Sequence, residues 1–406
     1  MKSNYKRLGD YIEPCVEKNT GNLIKDLRGI SNRKYFQKAK TNTIGIDLSK
    51  YRVVRTNQFA FNRATTRNGN KISIALRKGK DCIVSPSYRM FKSRDENILN
   101  SEYLMMWFRR HEFDRYARFK SHGSAHEFFD LDEMYEVELP VPSIEKQREI
   151  VKEYNTVVNR IKLNEKLNQK LEDAAQALYK HWFIDFEFPN AEGKPYKSSG
   201  GKMVYNEELD LVVPEGWKVK SVKEFSVDMK SGATPNRGVP EYWNSHDIPW
   251  LKTGELKNGV IINSEEYISE LGLKESSAKI LPKNSVLIAM YGQGETKGQV
   301  GYLKIESSTN QACCAIISLN EICATFLYYH LRLNRKEIVS VAIGGAQPNL
   351  SKEIIENIKL LIPKKEVLEN HPFVYIMNYR ESLTRENYYL SGFKNIILSK
   401  MSKTAL

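Results

Sequence analysis

At 406 residues, with 41% hydrophobic and 27% charged content, the chain is long enough for two or three ordinary globular domains. No run approaches the roughly 18 apolar residues that span a bilayer. The net charge of +13 is unevenly placed: residues 1–130 hold 27 Lys and Arg against 13 Asp and Glu, a balance of +14, while the remainder stands at −1. Such a basic segment favours a polyanionic partner.

The N-terminal Met1–Arg7 is basic, but no apolar stretch follows it, so it is not read as a secretory leader. Strand patterns follow at Arg52–Val54, Phe59–Phe61 and Lys71–Leu76, and residues 100–119 read as one buried helix. Pro140 and Pro142 close a first globule at residues 1–142. Ser143 then caps a long helix over 143–188, with Ile150, Tyr154, Val157, Ile161, Asn164, Asn168, Leu171, Ala175 and Leu178 stepping by four and three. Asn at such a seam lowers stability and fixes register. Residues 189–212 read as a linker rich in Pro, Gly and Ser. A second globule covers 213–363, and a second long helix covers 364–406, starting at Pro372 with Ile376, Tyr379, Leu383, Leu390, Phe393 and Ile397 in similar rhythm. Each helix needs a partner for its apolar stripe, and antiparallel pairing of the two satisfies both.

The chain also repeats itself. Gly123-Ser-Ala125 and Phe129 to Pro142 return as Gly345-Ala346 and Leu350 to Pro363, at a constant shift of 221 residues. Tyr103–Arg109 answers to Phe326–Arg332, and Val54–Phe61 to Leu281–Ile288. Solenoid units repeat at roughly 20–50 residues, so this repeat is a whole domain. The fold class read from the pattern is mixed α/β: two similar domains, two long antiparallel coiled-coil helices and a pseudo-twofold internal repeat.

On these residues the chain resembles the specificity subunit of type I restriction-modification systems. The resemblance is most specific in the second globule, through Pro214-Glu-Gly-Trp217, Ser231-Gly-Ala-Thr-Pro235, Tyr242-Trp243, Ile248-Pro-Trp250, Tyr291-Gly-Gln-Gly294, Thr309-Asn-Gln-Ala312 and Gly344-Gly-Ala-Gln-Pro-Asn-Leu350. Leu178-Tyr-Lys-His-Trp-Phe183 resembles the family's spacer helix. The first globule lacks the Gly-Ala-Thr-Pro and Tyr-Trp elements, which implies a different target on a similar fold. The resemblance implies a non-catalytic subunit with two target recognition domains, each reading half of a bipartite double-stranded DNA sequence. It further implies two modification subunits that use S-adenosylmethionine to methylate adenine, and restriction subunits that use ATP and Mg. No cofactor is expected in this chain, and no membrane.

The residues themselves agree with a non-catalytic role. The Asn/Asp-Pro-Pro-aromatic motif of adenine methyltransferases is absent, as is a phosphate-binding GxxxxGK[ST] loop. Gly292–Gly298 reads as a tight loop between strands. Cys15, Cys82, Cys313, Cys314 and Cys323 make no CxxC pair, and His122 with His126 makes no metal motif, so no metal site is expected. DNA reading needs cations for phosphates and Arg, Asn or Gln for base edges. The candidates are Arg63, Arg67, Asn68, Lys71, Lys120 and His122 in the first globule. In the second they are Tyr291, Gln293, Thr296, Lys297, Gln299, Gln347 and Asn349. Partner contacts are expected at Tyr154, Ile161, Leu171, Leu178 and Trp182, with Phe183 and Phe186 in the core. Two rival readings are a stand-alone duplicated DNA-binding protein and a protein-binding scaffold; the scaffold leaves the charge of the first globule unexplained.

Overall fold

The computed structural model describes residues 5–39, 45–64, 71–122, 127–292, 294–342 and 349–402. The chain forms two compact units, Met1–Ile161 with Tyr389–Leu406, and Lys162–Tyr388.

In the first unit, strand Tyr5–Arg7 pairs antiparallel with Glu138–Pro140 and ties the start of the unit to its end. The main sheet is antiparallel, in the order Ile12–Pro14, Tyr88–Ser93, Gln58–Asn62, Ile74–Leu76. Phe59 and Phe91 stack across it at 4.8 Å, and Phe108 meets both rings edge-on. The stretch expected as one helix is two, Ser101–Phe108 and His111–Phe119. The first is apolar nearly all round, whereas the second buries only one side, so a single straight helix would not suit both. Arg110 takes the extended conformation between them, its guanidinium 4.2 Å from the Trp107 ring centre. Asp114 on the second helix is buried against Lys34, at 2.7 Å, and accepts from Ile72 N–H at 3.2 Å.

The second unit repeats this plan. Lys218–Ser221 pairs with Lys359–Ile362, and the main sheet runs Ser226–Ser231, Cys313–Ser318, Val286–Ala289, Val300–Leu303, with Gly259–Ile261 added in parallel at the edge. Strands that correspond in the sequence repeat occupy the same places in both sheets. Helices Leu131–Tyr135 and Lys352–Glu356 stand 221 residues apart, as the repeat requires. The second unit adds a small sheet of Glu266–Ile268, Ile248–Leu251 and Ser308–Thr309.

Helix Ile144–Phe183 starts after Ser143, whose hydroxyl oxygen accepts from Lys146 N–H at 3.4 Å. Helix Phe373–Lys400 begins one residue after Pro372, whose carbonyl accepts from Ile376 N–H at 3.2 Å. In the first unit Ile150, Val151, Tyr154 and Val157 share a core with Ile397, Leu398 and Met401. In the second, Asn164 Nδ2 donates to Asn387 Oδ1 at 3.0 Å and Asn168 Nδ2 to Thr384 Oγ1 at 3.3 Å. Glu172 and Arg380 form a buried ion pair on the next turn. These contacts descend one helix as they ascend the other, so the two segments are antiparallel there.

Two further expectations change. The end of the expected linker at 203–212, with Val213 and Pro214 of the second globule, forms a hairpin of Met203–Asn206 and Leu211–Pro214. Before it, Phe188 stacks on Tyr196 at 4.5 Å and on Trp217 at 5.2 Å, and Gly201 passes so close to the Tyr196 ring that a Cβ would lie 2.5 Å from it. Tyr379 and Phe393, placed on the helix seam by their spacing, are exposed, while Leu383 and Ile397 of the same seam are buried together with Phe373, Met377, Arg380 and Leu398.

Candidate nucleic-acid interface

In the first unit, strands Gln58–Asn62 and Ile74–Leu76 form a hairpin, and Arg63 is the first residue of its connection. Three segments meet at that point. The Arg63 carbonyl accepts from Phe129 N–H at 2.9 Å, and Phe128 exchanges two backbone hydrogen bonds with His122, at 3.0 and 2.8 Å. Arg63 and His122, distant in sequence, are thereby brought to one place. The Arg63 guanidinium lies 4.6 Å from the Phe128 ring centre and gives Nη1 to Asp130 at 3.3 Å. From the neighbouring strand, Arg89 grips the same carboxylate with Nε at 2.7 Å and Nη2 at 3.0 Å. Partial burial pushes the Asp130 carboxyl up, but hydrogen bonds from Arg89, Leu131 N–H and Arg63 outweigh it and hold the group below the ordinary aspartate range.

Lys71 is exposed at the far end of the same connection, while Lys120 is half-buried in a cleft with Trp107, Tyr116 and Glu136. Arg67 and Asn68 lie outside the described residues. The spacing pointed to Arg63 and His122 but missed Arg89, Phe128 and Asp130. One signal was available: Asp130 and Glu133 form a capping box, each side chain closing on the other's backbone.

In the second unit the corresponding hairpin joins Val286–Ala289 to Val300–Leu303. Its connection makes one short turn at Gly294–Thr296. Gly298 takes φ 71°, and a Cβ there would meet Val339 at 2.6 Å. The Lys297 carbonyl accepts from Arg335 Nε and Nη2 at 3.1 and 2.9 Å, which pins the loop's backbone. Tyr291, Thr296, Lys297 and Gln299 are half-buried around it, and Asn349 is exposed. Leu350 N–H donates to the Met290 carbonyl at 2.9 Å, so Asn349 and the 290s loop are neighbours. Gln293 and Gln347 lie outside the described residues.

Another segment belongs here. The Thr234 hydroxyl donates to the Gln311 side-chain carbonyl, and both residues are exposed. Ala233 N–H donates to the Thr309 carbonyl and Met290 N–H to the Ala312 carbonyl, both at 2.8 Å, which sets residues 309–312 between the 230s and 290s loops. Gly232 makes this possible, since a Cβ would lie 2.2 Å from the Asn310 carbonyl oxygen. Beside it, Arg237 stacks 3.6 Å from the Trp243 ring centre and pairs with Glu266 at 2.5 Å.

Of the expected partner contacts, Tyr154 is buried in the first unit's own core, its hydroxyl accepting from Arg109 at 3.0 Å. Ile161, Leu171, Leu178 and Trp182 are half-buried, and Phe183 and Phe186 are buried. The C-terminal helix exposes Tyr375 and Tyr379 in the second unit, and Phe393 and Ile396 in the first. Burial drives the Cys15 and Cys82 thiols up to about 11 and Cys314 to about 12, which leaves them protonated and weak as nucleophiles. Among the described residues, no group of His, Cys, Asp or Glu is placed to hold a metal ion, and no helix is long and apolar enough to cross a membrane.

The model of the type I restriction modification DNA specificity domain matches residues 5–173 and again 214–404. The chain is 32% identical over 272 residues to the MjaIX specificity subunit of Methanocaldococcus jannaschii, covering 66% of this chain and 60% of that protein. It is 24% identical over 389 residues to the HindI specificity subunit of Haemophilus influenzae, covering 82% and 84%. In fold it is similar to the type I S subunit of M. genitalium, with a TM-score of 0.57 over 98% of this chain and 96% of that one, at 14% identity. With a loop-borne polar surface in each unit and a family match in each half, the chain belongs to the type I restriction-modification DNA specificity family, as a DNA-recognition subunit with no catalytic centre of its own.

Proposed function

We propose that each unit reads one half of a bipartite DNA target. Residues 1–142 and 213–363 act as the two target recognition domains, joined through 189–212, while the helices of 143–188 and 364–406 act as an antiparallel coiled-coil spacer. The observation that carries this reading is the equivalence of the two sheets. The same strand order places a hairpin connection bearing Arg63 in one unit, and Thr296, Lys297 and Gln299 in the other, at the same position of the fold. Lys71, Lys120 and His122 then serve phosphates and base edges of the first half-site, and Tyr291, Thr234, Gln311 and Asn349 those of the second. Half-sites read from one face of the duplex lie about one helical turn apart, roughly 34 Å.

The exposed apolar residues of the C-terminal helix, Tyr375, Tyr379, Phe393 and Ile396, together with the half-buried Leu178 and Trp182, support the recruitment of two adenine-methylating modification subunits. Restriction subunits would join the same assembly, in the cytoplasm, bringing their own ATP and Mg. Tyr375→Ser together with Tyr379→Ser, which leaves both cores intact, is expected to weaken association with the modification subunit, as read by co-purification.

The test is co-expression with the neighbouring modification subunit in a methylation-free host, with N6-methyladenine mapped along the genome. Methylation at a split motif, one half of which changes when residues 1–142 are exchanged, supports the reading. An unmethylated genome with both proteins soluble and associated counts against it and in favour of a stand-alone binder or a protein-binding scaffold.

A further inference from the structure

We propose that Arg63 reads a guanine of the first half-site, and that Asp130, Arg89 and Phe128 are positioning residues that hold its guanidinium for that contact. The inference rests on the DNA-recognition reading above and specifies its chemistry.

The second unit shows what the fold alone requires here. The counterpart of Asp130, at the repeat shift of 221, is Ser351, which caps its helix through a neutral hydroxyl accepting from Ile354 N–H at 3.1 Å. Capping therefore needs no carboxylate. Phe61 pairs with Arg89 across the first sheet, and its counterpart Ile288 pairs with Cys314 across the second. Two residues beyond Phe61 and Ile288 stand Arg63 and Met290. Where the first unit places Arg63, Arg89 and Asp130, the second thus places Met290, Cys314 and Ser351, with Met290 and Cys314 buried. A partly buried ion cluster is no more stable than a well-packed apolar one, because each charge loses hydration. Fold stability does not explain the trio.

Its charge and geometry point outward. Two guanidinium groups share one carboxylate, which leaves one positive charge in excess. Arg89 is satisfied by both carboxylate oxygens. Among the described residues, Arg63 gives Asp130 only Nη1, and its side chain is 40% exposed. Stacked on Phe128 and tethered at one corner, it is a planar fork whose rotamer is set before binding. Bidentate contact with guanine O6 and N7 needs such a fork, whereas a phosphate accepts any nearby cation.

The experiment uses the full chain with its modification subunit and reads the methylated motif. The wild-type first half-site is expected to contain guanine. Arg63→Ala and Arg63→Lys are expected to lower the preference for guanine at one position roughly 10- to 100-fold, with the second half-site unchanged. Asp130→Ser keeps a cap and removes the tether; it should weaken the same preference, again leaving the second half-site intact, which a general loss of structure would not do. Should the variants fail to fold, wild-type protein is tested on a duplex carrying 7-deazaguanine at each guanine of the half-site, and loss of affinity at one position supports the proposal. A motif unchanged in Arg63→Lys with evenly weaker, more salt-independent methylation in Arg63→Ala marks a phosphate contact and overturns it. A first half-site without guanine, or no effect of 7-deazaguanine, also overturns it while the split-motif reading stands. A wild-type chain that directs no split-motif methylation overturns both.

Discussion

At the foot of the first unit's hairpin connection, Arg63, Arg89 and Asp130 meet as ions, and at the matching positions in the second stand Met290 and Cys314, buried in one apolar core, and the exposed, neutral Ser351. The surfaces above them differ in the same sense. All the excess charge of the chain lies in residues 1–130, whereas the second unit offers mainly hydroxyl and amide groups, from Thr234, Thr296, Gln299, Gln311 and Asn349. One strand order supports both. The sheets supply position, and the chemistry of contact is chosen locally at the strand ends and loops.

The largest effect expected from testing this contrast is on the second unit's buried ion pair. Arg380→Ala leaves the buried Glu172 with Arg332, at 3.5 Å, as its remaining cation, and should cost about 3 kcal/mol. Urea unfolding followed by hydrogen exchange should place the loss in residues 162–388. An equal loss across residues 5–161 would show that the two units do not unfold separately.

Acid comes next. His330 and His371, both in the second unit, are held neutral by burial, with their pKa values lowered to about 4 from 6.5. The unfolded chain binds protons that the folded unit refuses, so their contribution is full above pH 6.5 and is lost as pH falls toward 4. Each histidine accounts for up to roughly 3 kcal/mol. Thermal unfolding between pH 7 and pH 4.5 should show the second unit weakening first; a flat profile for residues 162–388 would refute this.

A smaller effect separates the two caps. Ser351→Ala should destabilise the second unit by about 1 kcal/mol without altering salt dependence, because no charge is lost. Smallest of all, Lys71→Ala should leave the methylated motif unchanged and reduce the slope of log affinity against log salt by about one. A changed motif would move Lys71 from phosphate to base contact.

Much of the fold is legible in the sequence. The repeat, the strands at Arg52–Val54 and Phe59–Phe61, and the Ser143 cap are local patterns, and they stand as read. The two seam asparagines were also legible, because a polar residue among apolar ones at four-three spacing needs a polar partner, here Asn387 and Thr384. What escaped depends on contacts distant in sequence. The hairpin at 203–214 is preceded by the Phe188, Tyr196 and Trp217 stack, and its Pro- and Gly-rich approach looks like a linker until those rings are assembled. Tyr379 and Phe393 sit within one residue of the buried stripe, so a small rotation of the helix, set by the buried Arg380, moves them outside. The turn-prone neighbours of Arg63 mark it as a candidate. Arg89 is not marked, because a lone arginine in a strand acquires meaning only from the carboxylate 41 residues away.

The shared carboxylate also constrains how such a protein can change its target. Asp130 belongs at once to a helix start, to a strand through Arg89 and to a loop through Arg63. Replacing Asp130 strands both guanidinium groups, and once one arginine is gone, replacing either remaining member strands the charge of the other, so the effects are not additive. The route from the first unit's ionic arrangement to the second's neutral one therefore descends before it climbs. Exchanging a whole recognition domain avoids that valley, whereas point mutation must cross it.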